Sequence, residues 1–587
     1  MLKTQIDPFT VEIIRSALIA TTDEMKTNLA RTAYNPIVYE AQDFTVAVTD
    51  RNGNLASIGL GLPSFIRGIS DVVKGMIKHW GTDLHPGDIL LCNDTQIHGS
   101  HLNHVIMAIP VFVDGEIIAF ACSEPHWADI GGVSFAQSRS QIIDIFGEGL
   151  QIPFVKVYKK GEVNQDVIDF IRMNVRNPEL AMGDFRGQVA CARTGEKRLM
   201  NLGKKYGKEA FISAFEIIMD KSEAFSRAQL LKVPDGEYEA TQYFDDDGID
   251  IGRHMNLKVK IKKEKDTMIV DLTEVDPQVR SRFNSGAAIS GAQMGFKTLI
   301  CSTWYPVNDG SFRPLKVLTK PGTFVTAQRP AALFWWMIPP MNIADTMWHA
   351  MAPAMPDGVC AGHFATLAGG GGWGAKYNQD GMSAMHCLND GDVHNTPVEA
   401  AEVRNQNLVT GNQQMWLRRE LRQDSGGAGK YRGGLGCVEE TVRISMRGNF
   451  QGGLNFERTT SPPWGAFGAK PGLANAMKRG IPKTTPTPEE VATRKLFTLD
   501  VEWEEYPNAK YPSGKAPFKE LPIGSRTITM LGGGGGYGNP LERGVSKVLD
   551  DVINGYVSVE AAERDYGVVV NPKTMTVDEA ATRTLRK

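Results

Sequence analysis

Cysteine is scarce and scattered in this 587-residue chain: Cys92, Cys122, Cys191, Cys301, Cys360, Cys387 and Cys437 form no CxxC pair. An odd, dispersed set argues against both a disulfide framework and a thiolate zinc knuckle, and predicts small core residues. Excess charge is missing too. Lys+Arg 64 against Asp+Glu 67 gives a net charge of −3, so no global positive field draws in nucleic acid or an anionic membrane. No apolar run approaches the roughly 18 residues of a membrane span. The opening MLKTQIDPFTVEII lacks the basic, apolar, small-residue order of a signal peptide, which predicts a soluble, cytoplasmic protein. The GxSxG elbow, the HExxH zinc helix and the GxxxxGK[ST] phosphate loop are all absent, so no site for ATP is evident in this chain.

What is present is glycine, 61 residues of it, and enough length for about three or four domains. The glycines concentrate at 369–374, 426–436 and 532–538, where chain crossings or tight turns tolerate no Cβ. The pattern predicts an α+β, multi-lobed chain with mixed and antiparallel sheets. Residues 1–230 form an N-terminal α/β region, 231–345 a β-rich middle region, and 346–587 a Gly-rich, β-containing region with a short helical tail.

Several elements are legible locally. Asp7 and Pro8 open a helix over 7–34, in which Val11, Ile14, Leu18, Met25 and Leu29 recur at helical spacing. A strand is expected at Phe44–Val48, helices between 165 and 230, and alternating strands from 235 to 330. The Pro- and Thr-rich stretch 478–492 reads as a surface excursion. VIMAIPVFV, Asp114-Gly115 and EIIAFAC together read as a β-hairpin with a two-residue turn.

That hairpin matters because four of the eleven histidines, His98, His101, His104 and His126, flank it. With regular pairing about the turn, Asn103 faces His126 and His101 faces Ala128. His101 and His126 then lie diagonally on one face, roughly 7–8 Å apart at Cβ. A metal bonded at about 2.0–2.1 Å to each nitrogen bridges such a pair. His104 points to the other face unless the strand begins late or carries a bulge. Asp43, Asp94 and Asp129 are nearby carboxylates, and a mixed His/Asp set favours zinc, manganese or iron over calcium. His98, in a turn, is the expected bystander. His386 and His394, near Asp390 and Asp392, form a weaker grouping read as a solvated loop, and Phe334-Trp335-Trp336 reads first as packing.

At many points the chain resembles the hydantoinase B/oxoprolinase family, which includes ATP-dependent lactamases and the metal-bearing subunits of acetone and acetophenone carboxylases. The resemblance is carried by DPFTVEIIRSAL (7–18), RTAYNPIVYEAQDFTVAVTD (31–50), PGDILLCND (86–94), HWADIGG (126–132), EGLQIP (148–153), NVRNPELAMGDFRGQVAC (174–191), NDGSFRP (308–314), DSGGAGKYRGGLG (424–436), GGGGYGNPLER (533–543) and SVEAAERDYGVVV (558–570).

The resemblance implies a metal held by Asp43, His101, His104 and His126. His104 replaces the aspartate of the usual histidine-x-x-aspartate and tilts the set toward zinc or iron, with manganese the other candidate. It implies catalytic roles for His126 and His101, with Asp129 orienting a ligand imidazole. It also implies a hydantoinase A-type partner that binds ATP, in a heterotetramer or larger assembly. The expected activity is ATP-dependent hydrolysis of a hydantoin, oxoproline or lactam ring, with bicarbonate as a further reactant in some members. The alternatives are an acetone- or acetophenone-type ketone carboxylase, for which an additional small subunit is expected, and a non-catalytic assembly subunit.

Overall fold

A computed structural model describes residues 6–39, 42–61, 63–133, 142–286, 289–300, 307–364, 371–384, 414–444, 451–452, 457–516 and 519–587. It is an α+β fold of several sheets.

The chain opens with α1 (Pro8–Thr32), whose first turn is capped as its sequence suggests: the Asp7 carboxylate accepts from the Thr10 amide at 3.1 Å. Such a cap contributes about 1 kcal/mol. The first sheet runs β2-β1-β5-β4-β3-β6-β7, all antiparallel. Its strands are β1 (Phe44–Asp50), β2 (Leu55–Leu60), β3 (Ile89–Cys92), β4 (Ile106–Val113), β5 (Glu116–Pro125), β6 (Val155–Lys159) and β7 (Glu162–Val163). Strand alternation divides its residues between two cores. Val46, Val48, Val111, Ala119 and Ala121 pack with α1 and with residues of α4 (Pro178–Tyr206) and α5 (Lys208–Leu230). Ala47, Ile106, Ala108, Phe120 and Cys122 pack against α2 (Ile69–Trp80). The third helix, α3 (Gln165–Asn174), precedes α4.

The hairpin is as expected at its turn, where Asp114 and Gly115 have φ of 50° and 77°, the left-handed pair a type I′ turn requires. Its register differs. Phe112 pairs with Ile117, but Val111 pairs with Ala119, so a bulge absorbs one residue and shifts every pair beyond it. Asn103 therefore does not face His126; His104 does.

A second, mixed sheet contains β8 (Gly236–Phe244), β9 (Met255–Glu264), β10 (Thr267–Leu272) and β11 (Leu315–Thr319), with β10 and β11 parallel. Helices α6 (Ile289–Ile300) and α7 (Ile338–Met351) share its apolar core. A third sheet has the order β12-β13-β16-β14-β15, from Gln414–Leu421, Cys437–Arg443, Arg526–Met530, Ala476–Pro482 and Val501–Tyr506. Residues 478–482 are thus in a strand of this sheet, and a short helix with a Thr487/Glu490 capping box follows. Alternation is masked there because Lys478 and Arg479 carry long stems that cover apolar surface. The chain ends in three helices, α8 (Val545–Ile553), α9 (Val559–Tyr566) and α10 (Glu579–Leu585).

Glycine-rich segments meet beside this sheet through backbone alone. The Gly534 amide donates to Gly434, Gly427 to Gly534, and Gly372 to Gly532, at 2.8–2.9 Å. A methyl group at Gly434 would run into the Met382 carbonyl, and one at Gly534 into that of Trp373. The five described cysteines are buried and form no disulfide with one another. Among the described residues no helix is long and apolar enough to cross a membrane.

Candidate metal centre

The bulge in the β4/β5 pairing sets the site. It places His104 opposite His126, and a tight turn, with the His104 amide donating to the His101 carbonyl at 3.1 Å, carries His101 to the same place. One donor atom from each of the three buried histidines falls within 4.8 Å of the others. Two nitrogens bonded to one ion span at most about 4.2 Å, so small ring rotations close the set. On the other side of His126, its amide donates to the Asp43 carbonyl at 3.0 Å. The Asp43 carboxylate Oδ1 lies 3.2 Å from His104 Nε2.

Ser100 links His104 to His98 and leaves His104 Nε2 facing Asp43. The Ser100 amide donates to His98 Nδ1 at 3.1 Å, so that nitrogen is an acceptor. The Ser100 hydroxyl is 2.8 Å from the same nitrogen and 2.9 Å from His104 Nδ1. The hydroxyl thus bridges the two imidazoles and can meet either tautomer of His104. His104 Nε2 faces the Asp43 oxygen, where a shared proton or a cation joins the two. Neither ring nitrogen of His101, nor Nδ1 of His126, makes a hydrogen bond of normal geometry among the described residues, although all are buried. Buried imidazoles that lack normal hydrogen bonds and gather within a few ångströms of one another are what a metal ion satisfies.

The electrostatics agree. Burial holds His101 and His104 well below the usual imidazole range, with the neighbouring imidazoles adding to it, and burial lowers His126. All three are neutral at neutral pH, as metal ligation requires. Burial pushes Asp43 up to about 6, opposed by His126, and pushes Glu124 well above the carboxylate range, with Asp43 adding to the rise.

Rings enclose the histidines. Phe65 lies edge-on to His104 at 4.6 Å between centroids, Trp336 at 5.7 Å, and Phe334 lies 5.1 Å from His101. The aromatic run expected as packing thus forms a wall of the site. It is held there by Glu148, whose buried Oε1 accepts from the Leu333 and Phe334 amides at 2.8 and 2.7 Å. The Arg282 guanidinium lies 4.8 Å from the Phe334 ring centroid.

Helix α4 fixes the loops from behind. Gln188 accepts from Trp127 Nε1 at 3.2 Å and donates to the Val105 and Ser123 carbonyls at 2.7 and 3.2 Å. Asp184 accepts from the Tyr34 and Asn35 amides, and Asn35 Nδ2 donates to the His126 carbonyl at 2.9 Å.

Of the residues singled out in the sequence, Asp43, His101, His104 and His126 meet here. Asp129 has both oxygens engaged at the start of α4, accepting from the amides of Gly131, Arg176 and Asn177. Gly132 beside it has φ of 80°, and a Cβ there would strike the Glu148 carbonyl. His98 sits outside the three, held by Ser100, and burial lowers it to about 4. Asp94 caps a short helix and pairs with Arg329 at 3.1 Å. His386, His394, Asp390 and Asp392 lie outside the described residues. Sequence reasoning missed Ser100, Glu124, Phe65 and Glu148. A signal existed for Glu124, two residues from His126 on a strand; none existed for Phe65 or Glu148.

The family model for hydantoinase B/oxoprolinase matches residues 7–540. The chain belongs to this family. It is 30% identical to a protein of Pseudomonas sp. (strain NS671) named as the B-type component of a D-/L-hydantoinase, over 99% of this chain and 98% of that one. It is 29% identical to the beta chain of the caprolactamase of Pseudomonas jessenii, over 99% of each. The crystal structure of the ATP-dependent caprolactamase from that organism superposes with a TM-score of 0.85 at 27% identity, covering 99% of this chain and 100% of the other. A nucleotide-free acetone carboxylase superposes with a TM-score of 0.86 at 20% identity, covering 99% of this chain and 82% of the other, a likeness of fold. This hydantoinase B-type chain thus shares its fold with both a caprolactamase and an acetone carboxylase.

Proposed function

We propose that this chain is the metal-bearing subunit of an ATP-dependent hydrolase of cyclic amides, acting on a hydantoin, oxoproline or lactam ring with an ATP-binding, hydantoinase A-type partner in a heterotetramer or larger assembly. The observation that carries the reading is the convergence of three neutral, buried histidines on one point, with Asp43 beside them, in a chain similar over nearly its full length to the beta chain of a caprolactamase.

His101, His104, His126 and Asp43 would hold a divalent metal, zinc first and iron or manganese next. Bound there, the metal supplies Lewis acidity that polarises a carbonyl oxygen at neutral pH. With a metal on Nε2, Ser100 would accept from His104 Nδ1–H and support the ligating tautomer. Phe334 and Trp336 give the methylene groups of a ring an apolar wall and restrict water around the histidines. Asp129 acts at one remove, tying the segment after His126 to α4.

A second reading, an ATP- and bicarbonate-dependent ketone carboxylase with a further small subunit, is favoured by the aromatic wall, which also suits an aryl ketone. The test is to co-purify the chain with its partner, determine metal content, and follow ATP turnover with cyclic amides and with ketones, with and without bicarbonate. Ring opening with a cyclic amide supports the first reading, and bicarbonate-dependent turnover with a ketone the second. Activity unchanged in His101→Ala and His126→Ala overturns the metal role and leaves an assembly subunit.

A further inference from the structure

Glu124 is the one carboxylate on the site's face of β5 that the centre described above does not use. Side chains alternate along a strand, so Glu124 and His126 project from the same face. On β1, Thr45 pairs with Glu124, and the Asp43 carbonyl takes the His126 amide. Asp43 and Glu124 therefore occupy adjoining rows of one sheet face, the face that also holds Ile106, Phe120 and Cys122 against α2.

Glu124 is 1% exposed, and no donor reaches its Oε2 among the described residues. Among the described residues no lysine or arginine pairs with it. A buried carboxylate oxygen without a donor is costly to fold around, because it loses hydration and gains no hydrogen bond. The cost is met when a cation lies within reach. Three neutral imidazoles bring no charge to a divalent ion and Asp43 brings one negative charge, so one positive charge stays unbalanced in an apolar enclosure.

We infer that Glu124 is the second carboxylate of the metal centre, supplying with Asp43 the two negative charges that balance a divalent cation among His101, His104 and His126. The inference rests on the proposed metal site and deepens it. It gives Glu124 a role that is unfavourable in the metal-free chain and favourable in the loaded one.

The experiment is to strip the full chain with a chelator and titrate it with Zn²⁺, and separately with Mn²⁺, by calorimetry, for wild type, Glu124→Gln, Glu124→Asp and His126→Ala. The melting temperature of each metal-free form is measured alongside. Wild type is expected to bind one ion, and Glu124→Gln to bind it at least about tenfold more weakly. Glu124→Asp, which keeps the charge, should stay closer to wild type. The metal-free melting temperatures confirm that each variant is folded. Wild-type affinity in Glu124→Gln overturns the role of Glu124 and leaves the histidine site standing. Should Glu124→Gln not fold, equal affinities for Glu124→Asp and Glu124→Ala overturn it instead. Failure of wild type itself to bind either ion overturns the metal site, and this inference with it.

Discussion

His104 stands directly opposite His126 across the β4/β5 pairing. A bulge between Val111 and Phe112 moves the register by one residue and so brings an imidazole to a place that regular pairing gives to Asn103. A one-residue shift in a strand reverses every side chain's face. The third histidine belongs to the site for this reason.

His101→Ala, His104→Ala and His126→Ala are each expected to lower metal affinity by more than the roughly 10–100-fold that loss of an outer hydrogen-bond partner costs. Elemental analysis after desalting checks this. Full metal content in His104→Ala would remove that residue from the ligand set.

Ser100→Ala should weaken metal binding by about 10–100-fold without removing a ligand. The hydroxyl that would accept from His104 Nδ1–H in the ligating tautomer is gone, so that tautomer loses its support. Calorimetric titration of the metal-free chain reads the change, and circular dichroism confirms that the fold persists. An unchanged affinity would show that Ser100 does not support the ligating tautomer.

The pH dependence of stability carries a signature of Glu148. Burial pushes this carboxyl up to about 8 against the pull of the Phe334 amide and the Arg282 guanidinium, with Asp144 adding to the rise. A carboxyl whose folded pKa lies above its unfolded value contributes stability that is complete below about 4.5 and is lost as pH rises through about 8. Glu148→Gln keeps an acceptor for the Leu333 and Phe334 amides but cannot ionise. Its melting temperature should therefore gain on wild type as pH rises from 5 to 8. Parallel curves for the two proteins would contradict the buried, protonated carboxyl.

Phe334→Ala removes the ring beside His101 and the surface it offers to a substrate ring. Full burial of such a side chain is worth about 1.5–3 kcal/mol, so KM should rise roughly tenfold while kcat falls less. Steady-state kinetics of the complex with a cyclic amide separate the two. A fall in kcat alone would assign Phe334 to shaping the histidines instead of holding substrate.

Local chemistry carried much of the fold into the sequence. Asp7-Pro8 marks the start of α1, and Asp114-Gly115 marks the hairpin turn, because each acts within a few residues. The bulge does not show, since Val111, Phe112, Ile117 and Ala119 are all apolar and any register among them satisfies the core. Asp43, His101 and His126 were legible by residue type and by resemblance to a family, and His104 only conditionally, for want of the register. The wall of the site was not legible: Phe334 and His101 are brought together by packing between two sheets, and no short-range pattern encodes that approach. Glu148 is hidden for the same reason, since its partners are backbone amides.

The glycine-rich segments near the C-terminus give the molecule an interior made of peptide groups, with Gly534, Gly434, Gly427 and Gly372 joined amide to carbonyl. An apolar core meets a larger side chain by shifting neighbouring rotamers. Where backbone lies on backbone there is no rotamer to shift, so one added methyl at Gly434 or Gly534 must push two segments apart and break the amide-to-carbonyl bonds between them.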